Sequence, residues 1–302
     1  MSYKTINRKL ETGDIIILDG ANGSELERRG VPMDPKAWCG IASVEHLGIL
    51  EEIHLDYIKA GADIITTHTY ASNRLMLKSV QLEDKVVEIN QAAIEVAKTA
   101  IKKSGRKVAL AGSMSHRVPE FDDEAKAPSV HEAEEALDEM ASILSKQNCD
   151  FILLEMMYHP VRTSLAFKSA IRTGLPVWAG FSARRGKNGE ILNYFSSEDI
   201  PFEETVRILE DFDVDAAGIM HTPSNVVEDA LEILKEVYNG PLFAYPDSGY
   251  FLSPNWQFKD TIEPLDLKEF GQNWIDNGVQ VLGGCCGLSP HHIKALAELK
   301  PN

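Results

Sequence analysis

The sequence predicts a (β/α)8 barrel, the TIM-barrel class of α/β folds, formed by a single domain over residues 1–302. Eight short runs rich in Ile, Val and Leu recur along the chain, and each is followed by a longer stretch with helical spacing of apolar residues. Near-continuous apolar strands separated by helices indicate a parallel sheet covered by helices, and eight such units match a closed barrel. An open doubly wound sheet is the alternative.

The predicted strands follow one another at regular intervals along the chain. They span 15–20, 62–70, 107–115, 150–157, 176–183, 215–222, 241–249 and 279–287. The intervening segments, such as 45–61 and 83–105, place apolar residues at helical spacing and end at glycine, as helices commonly do. The loops at 116–130 and 184–199 are long enough to act as lids. No low-complexity linker or shift in composition marks a second domain.

Charge and composition narrow the function classes. The formal net charge of -16 argues against nucleic acid, because binding to a phosphate backbone depends on clustered Lys and Arg. The first 14 residues lack the apolar core of a signal peptide, and no apolar run is long enough to span a bilayer, so we expect no membrane partner. Four cysteines are too few for a disulfide framework, which favours a reducing, cytoplasmic location.

The ends of the predicted strands carry polar and reactive side chains. In a barrel of this class the active site forms at the C-terminal ends of the strands, so these side chains should converge on one mouth. A barrel with a purely structural role has no need for so many polar and reactive side chains at its strand ends. In chain order they are Asp19, Thr67, His68, Tyr70, Ser113, Glu155, Ser182, His221, Asp247, Ser248, Cys285 and Cys286.

Three of these residues match the ligand types of a catalytic zinc site. His221, Cys285 and Cys286 would supply three protein ligands and leave a fourth position open. Glycines flank the cysteine pair and permit backbone angles that would turn both side chains toward one ion, whereas successive side chains of a regular strand face opposite ways. Two alternatives remain open: the cysteines could be small buried apolar residues, and His221 a general base or a substrate contact.

Five segments together resemble the homocysteine S-methyltransferase family over nearly the whole chain. They are LDGANGSELERRG (18–30), ITTHTYASN (65–73), LLEMM (153–157), AYPDSG (244–249) and GGCCG (283–287) followed by PHHI (290–293). The resemblance implies a TIM barrel in which zinc binds the homocysteine sulfur as a thiolate, which attacks a methyl group on a small donor. It thereby implies a place in methionine biosynthesis.

The resemblance also implies roles for individual residues. Cys285 and Cys286 match two of the family's three zinc cysteines, and Asp19 and Glu155 match carboxylates that help to hold the amino acid's ammonium group in relatives. A carboxylate facing the pocket from a strand end could pair with a cation on physical grounds alone. The alternatives are a turn residue for Asp19 and a buried salt bridge for Glu155.

Three positions near the expected pocket depart from the family pattern. His221 stands where the family has its third zinc cysteine, His68 where it commonly has Asn, and Asn22 where it commonly has an apolar residue. Imidazole in place of a thiolate makes the ligand set one charge unit less negative, so a bound substrate sulfur would be easier to deprotonate but less nucleophilic. A different thiol acceptor or a different methyl donor would account for these changes.

The expected donor is a small sulfonium or quaternary ammonium compound, and such cations favour aromatic faces. Tyr70 is the predicted donor contact, while Trp38 and Tyr250 are interpreted as packing or rim aromatics, and Cys39 and Cys149 as packing residues. The predicted substrate-binding residues are Asp19, Asn22, His68, Tyr70, Glu155 and Ser248. Asp247 and Ser248 are expected to shape the pocket beside the metal.

Two other functions fit parts of the pattern. A zinc hydrolase could use Glu155 as general base, although thiolate ligands suit a sulfur substrate better. A binding protein that kept the barrel without catalysis is the other alternative, with the change at His221 as its lesion. The oligomeric state is open, a symmetric homo-oligomer being the common arrangement among such enzymes.

Overall fold

The computed structural model describes residues 2–119, 127–194 and 198–301. Over these residues, eight parallel strands close into a barrel in the order β1-β12-β9-β8-β5-β4-β3-β2, and two short antiparallel hairpins, β6-β7 and β10-β11, lie outside it. The strands are Ile16–Gly20 (β1), Ile64–Thr66 (β2), Ala109–Ser115 (β3), Phe151–Met157 (β4), Val177–Phe181 (β5), Ala183–Arg185 (β6), Ile191–Asn193 (β7), Ala216–Pro223 (β8), Leu242–Asp247 (β9), Tyr250–Leu252 (β10), Asn255–Gln257 (β11) and Val279–Gly284 (β12). The predicted barrel is confirmed.

Helices follow most of the barrel strands and cover the outside of the sheet. They are Tyr3–Thr12 (α1), Asn22–Arg28 (α2), Ala42–Glu45 (α3), Leu47–Ala60 (α4), Arg74–Lys78 (α5), Val86–Ser104 (α6), Val130–Lys146 (α7), Pro160–Ile171 (α8), Phe202–Val206 (α9), Ser224–Lys235 (α10), Pro264–Asp276 (α11) and Pro290–Ala297 (α12). Short 3-10 turns at Glu83–Lys85 and Arg207–Glu210 extend the array. The helices expected at 45–61 and 83–105 form α4 and α6, and each ends at its glycine.

The N-terminal end of the barrel is filled by aromatic rings. Phe151, Trp178 and Phe243 lie near the starts of β4, β5 and β9, with ring centroids 4.6 Å apart for the first pair and 6.0 Å apart for the second. The helix α1, which the sequence pattern did not predict, packs beneath them, and the Trp178 indole N–H donates to the Tyr3 hydroxyl at 3.2 Å. This packing leaves the opposite, C-terminal end for a site.

The loops at the C-terminal end contain more structure than expected. The segment 184–199 was predicted as a long loop, but it holds most of the β6-β7 hairpin, while residues 195–197 lie outside the described residues. In the segment 116–130, residues 120–126 lie outside them as well. No helix in the described parts of the chain is long and apolar enough to cross a membrane.

Candidate metal centre and active site

The cysteine pair lies immediately after β12, in a loop held at the barrel mouth by its backbone. The Cys285 N–H donates to the Pro246 carbonyl at 2.6 Å, and the Ser248 N–H donates to the Cys286 carbonyl at 2.9 Å. Gly287 has φ +81°, and a Cβ there would lie 1.7 Å from the Ser248 carbonyl oxygen. Because only glycine fits this backbone, the sequence GGCCG allows the loop to lie directly against the end of β9.

His221 brings an imidazole to the same loop from the end of β8. Its Nδ1 lies 3.4 Å from the Cys285 Sγ, the two sulfurs are 3.9 Å apart, and one ligand atom from each of the three residues lies within 4.8 Å of the other two. His221 has φ +44°, a left-handed backbone that is uncommon outside glycine and often marks a functional site.

The spacing of these ligand atoms can be compared with what zinc requires. Tetrahedral Zn²⁺ with S and N ligands at their usual bond lengths separates two sulfurs by about 3.8 Å and a sulfur from a nitrogen by about 3.6 Å. The observed 3.9 Å between sulfurs and 3.4 Å between nitrogen and sulfur are close to both values. The residues present therefore fit a Cys2His metal site.

Two further groups contact the His221 ring. The Asp247 carboxylate lies 3.5 Å from Nδ1, and the Tyr194 hydroxyl lies 3.3 Å from Nε2. Burial acts to lower the pKa of His221, but Asp247 and the Cys286 sulfur raise it overall. Burial also raises the pKa of Asp247, to about 6. With Nδ1 facing the sulfurs, Nε2 is left to the tyrosine hydroxyl, which fixes the orientation of the ring.

The cluster opens into a cavity of about 110 Å³ at the C-terminal end of the barrel. Most of the sequence-predicted site residues line it together, namely Asn22, His68, Tyr70, Glu155, His221, Cys285 and Cys286. Asp19 and Ser248 do not line it. The Ser248 hydroxyl instead accepts the Ile262 N–H at 2.8 Å, so this residue shapes the cysteine loop from behind.

Glu155 contributes a carboxylate to the lining of the cavity. It is 8% exposed, and no ion pair to it is found among the described residues, so the salt-bridge alternative has no support there. Burial raises its pKa to about 7, and the neighbouring Cys286 sulfur acts in the same direction. A cationic group entering the cavity would favour the ionised carboxylate.

Asp19 lies inside β1 and is fully buried, so it is not a turn residue. Its Oδ2 accepts the Thr66 N–H at 2.8 Å and the Thr66 hydroxyl at 3.2 Å. Asn22 donates to the same threonine, at 3.1 Å to the carbonyl and 3.2 Å to the hydroxyl. Among the described residues, Oδ1 of Asp19 and Oδ1 of Asn22 have no hydrogen-bond partner. Burial raises the pKa of Asp19 well above its usual range.

The other two predicted contacts are anchored by hydrogen bonds to the protein. His68 Nε2 lies 2.9 Å from the Cys39 carbonyl oxygen, which accepts from it, and burial lowers the pKa of this histidine. The Tyr70 hydroxyl donates to the Met156 Sδ at 2.8 Å. Both side chains present a fixed face to the cavity.

Sequence reasoning missed several cavity residues. Trp38 was interpreted as packing, yet it lines the cavity, while Tyr250 is 49% exposed as a rim aromatic. Arg117, Tyr158, Tyr194, Phe251 and Trp256 also line the cavity. Most come from the loops that follow β3 and β4 and from the two hairpins, where no periodicity marks a side chain as inward-facing. The one available signal was a lone arginine two residues after a barrel strand.

Comparison with known proteins decides the family. Residues 16–299 match the family model for homocysteine S-methyltransferase. This chain belongs to the homocysteine S-methyltransferase family. Like that family's members, it is an S-methyltransferase.

Relatives of this family member cover nearly all of its length. A selenocysteine Se-methyltransferase from Brassica oleracea var. italica is 26% identical over 317 aligned positions, which cover 95% of this chain and 89% of the relative. Betaine–homocysteine S-methyltransferase 1 from Bos taurus is 26% identical, covering 98% of this chain and 74% of the relative. Among solved structures, the metallated form of the homocysteine methyltransferase MmuM from Escherichia coli shares the fold, with a TM-score of 0.73, 23% identity and coverage of 96% and 98%.

Proposed function

We propose that this methyltransferase moves a methyl group from a small sulfonium or quaternary ammonium donor to the thiol of homocysteine or a related compound, with Zn²⁺ held by His221, Cys285 and Cys286. The convergence of one imidazole and two thiols in one buried cavity at the barrel mouth carries the proposal. When bound, the ion would lower the pKa of the substrate thiol and so supply the thiolate that methyl transfer requires.

The chain's own residues bind the amino end of the acceptor. Ionised Glu155 pairs with the ammonium group, and the free Oδ1 of Asn22 accepts a second N–H. Asp19 supports this arrangement from behind, because it and Asn22 hold the same residue, Thr66. Arrival of the ammonium lowers the pKa of Glu155 from about 7, so substrate binding itself fixes the carboxylate in its charged form.

Aromatic rings beside His221 receive the methyl donor. The Tyr194 and Trp256 rings lie 5.0 Å and 5.6 Å from the imidazole, both at steep interplanar angles, and both line the cavity. Their electron-rich faces attract an onium group. In the reaction, the acceptor sulfur forms a bond to the methyl carbon, and the electron pair of the breaking bond stays on the donor as a neutral sulfide or tertiary amine.

The proposal extends to the setting of the enzyme. Residues 1–302 act as one domain, and the enzyme works in a reducing, cytoplasmic environment, in which its four free cysteines stay as thiols or metal ligands. Because methylation of homocysteine gives methionine, the proposed reaction belongs to methionine biosynthesis.

Metal content of the protein purified without added metal tests the proposal. We expect about one zinc per chain in the wild type and a loss of most of it in His221→Ala and in Cys285→Ala, because each variant removes one of three ligands. Cys149→Ala is the matched control, since it removes a buried cysteine outside the cluster and should keep its zinc. Elemental analysis gives the stoichiometry, and a screen of thiols against sulfonium and betaine donors then gives the activity.

Two results would contradict the proposal. Full zinc in His221→Ala would remove the histidine from the ligand set and leave it as a substrate contact. A wild type that takes up no zinc even when the metal is supplied would exclude the zinc-dependent mechanism.

A further inference from the structure

Arg117 occupies an unusual position in the loop that follows β3. Its guanidinium carbon lies 5.6 Å from the ring centroid of Trp38, 5.9 Å from that of Phe251 and 6.0 Å from that of Tyr70. These three rings, called the aromatic cage below, surround an arginine at the upper limit of cation–π distance. Tyr70, which the sequence analysis assigned to the methyl donor, therefore already faces a cation of the protein itself.

Among the described residues, no carboxylate forms an ion pair with Arg117. Its Nε is buried without a hydrogen-bond partner among these residues. An arginine cannot shed its proton in a protein, so this side chain stays charged. A partly buried charge with no counterion among the described residues is costly, and the aromatic rings offset only part of that cost.

The charge faces the space where substrates bind. Arg117 lines the metal cavity together with Glu155 and the cysteine pair. It also lines a second cavity of about 260 Å³, so it borders both cavities. A ligand bound in the metal cavity therefore lies in the electric field of the Arg117 guanidinium.

This field discriminates between donors. A sulfonium or ammonium donor without a negative group would meet a fixed positive charge in a low-dielectric cavity, which is unfavourable. A carboxylate on the same molecule reverses the sign of the interaction, and guanidinium binds carboxylate through two parallel hydrogen bonds.

We propose that Arg117 is a specificity-determining residue that binds a substrate carboxylate, and that the aromatic cage of Trp38, Tyr70 and Phe251 holds this arginine in place as an anion receptor. The inference rests on the proposed function and narrows its substrate class to carboxylate-bearing molecules. The carboxylate belongs either to the onium donor or to the amino-acid thiol; the chemistry at Arg117 is the same, and the experiment separates the two sources.

The test compares acids with their neutral amides. Calorimetry measures the binding of glycine betaine, dimethylsulfoniopropionate and homocysteine, each beside its primary amide, to zinc-loaded wild type and to Arg117→Met, Arg117→Lys and Arg162→Met. We expect the wild type to bind the acid of at least one pair about 10- to 100-fold more tightly than the amide, and Arg117→Met to lose that preference. Arg117→Lys, which keeps the charge but not the planar fork, should retain part of it.

Arg162→Met is the matched control, because Arg162 lies at the same rim and its Nε is also unpartnered in the described residues, yet it does not line the metal cavity. Its acid preference should equal that of the wild type. Loss of preference in the betaine or dimethylsulfoniopropionate pair assigns the carboxylate to the donor; loss in the homocysteine pair assigns it to the acceptor. Arg117→Gln replaces Arg117→Met if the latter does not fold.

Two outcomes overturn the inference: an acid preference that is unchanged in Arg117→Met, or no acid preference in the wild type. Methyl transfer measured in the same samples keeps the two claims apart. If methyl transfer occurs but the preference for acids does not depend on Arg117, the inference is wrong and the proposed function stands. If the preference for acids depends on Arg117 but no thiol is methylated, the inference stands and the proposed function is wrong.

Discussion

At the scale of single residues, His221 shows how a change of ligand alters its surroundings. A thiolate in this place would need no partner behind it, whereas an imidazole has a second nitrogen that must be satisfied. The Tyr194 hydroxyl, 3.3 Å from Nε2, meets that need. Asp247 lies 3.5 Å from Nδ1, and its carboxylate supplies part of the negative charge that a thiolate in place of His221 would have carried. His221 thus occurs together with Tyr194 and Asp247, two residues whose side chains suit an imidazole at this position.

Removing the Tyr194 hydroxyl should weaken metal binding. Loss of an outer hydrogen bond to a metal-ligating histidine typically costs about 10- to 100-fold in affinity, so Tyr194→Phe should bind zinc at least about 10-fold more weakly than the wild type. Competition with a chelator of known affinity measures the change. Tyr250→Phe, at an exposed tyrosine, is the control. Equal zinc affinity in both variants would show that the hydroxyl does not orient His221.

The residues of the site were predictable to different degrees. The cysteine pair, His221 and Glu155 carry reactive groups at the ends of strands, and the barrel rule alone places them at one mouth. Arg117 and Trp38 lie on loops whose paths no periodicity specifies, so the cage they form could not be read from spacing. Ser248 was assigned to substrate because of its neighbours in the sequence, but its hydroxyl binds the Ile262 backbone.

At the scale of elements, the loop after β12 and the end of β9 act as one unit. Backbone hydrogen bonds from Cys285 to Pro246 and from Ser248 to Cys286 join them, and the missing side chain of Gly287 allows the close approach. The cysteine geometry therefore depends on the segment YPDSG as much as on GGCCG. Both segments were recognised in the sequence, but their contact required the fold.

Gly287→Ala tests this dependence. The new methyl group would combine a left-handed backbone with overlap against the Ser248 carbonyl, and we expect a loss of about 2 to 4 kcal/mol in the free energy of unfolding together with reduced zinc content. Gly30→Ala isolates the backbone contribution, because Gly30 has φ +85° with no atom within 4 Å of its added Cβ. It should lose about 1 kcal/mol and keep its zinc. Similar losses in both variants, by urea denaturation, would mean that the close approach is unimportant.

At the scale of the whole molecule, the fold was largely predictable because each barrel strand contains a short run rich in apolar residues and the long covering helices carry their own periodicity. All eight runs became barrel strands, although the second ends at Thr66, four residues earlier than expected. The helix α1 and the two hairpins were missed. These elements are short or peripheral, and their stability comes from contacts with the finished barrel, such as that between Trp178 and Tyr3.

The stability of the whole fold should depend on pH through a histidine that takes no part in the site. His54 lies on α4 with none of its surface exposed, and neither ring nitrogen has a hydrogen-bond partner among the described residues. Burial lowers its pKa from 6.5 to about 3. Below pH 6.5, His54 binds a proton in the unfolded chain but not in the folded protein. The His54 contribution to stability is therefore complete above that pH and is lost at about 1.4 kcal/mol per pH unit as the pH falls toward 3.

His54→Leu removes this titration together with two unsatisfied polar atoms. The variant should be about 1 kcal/mol more stable than the wild type at pH 7, and the stability lost between pH 6.5 and pH 5 should be smaller by about 2 kcal/mol. Urea denaturation of both proteins at both pH values measures these free energies of unfolding. Comparing the variant with the wild type cancels the contributions of the other buried groups, which the two proteins share. His291→Asn, at an exposed histidine of α12, should behave as the wild type. An unchanged pH dependence in His54→Leu would mean that His54 is protonated or solvated in the folded protein, and that the core between α4 and the barrel is less dry than its packing indicates.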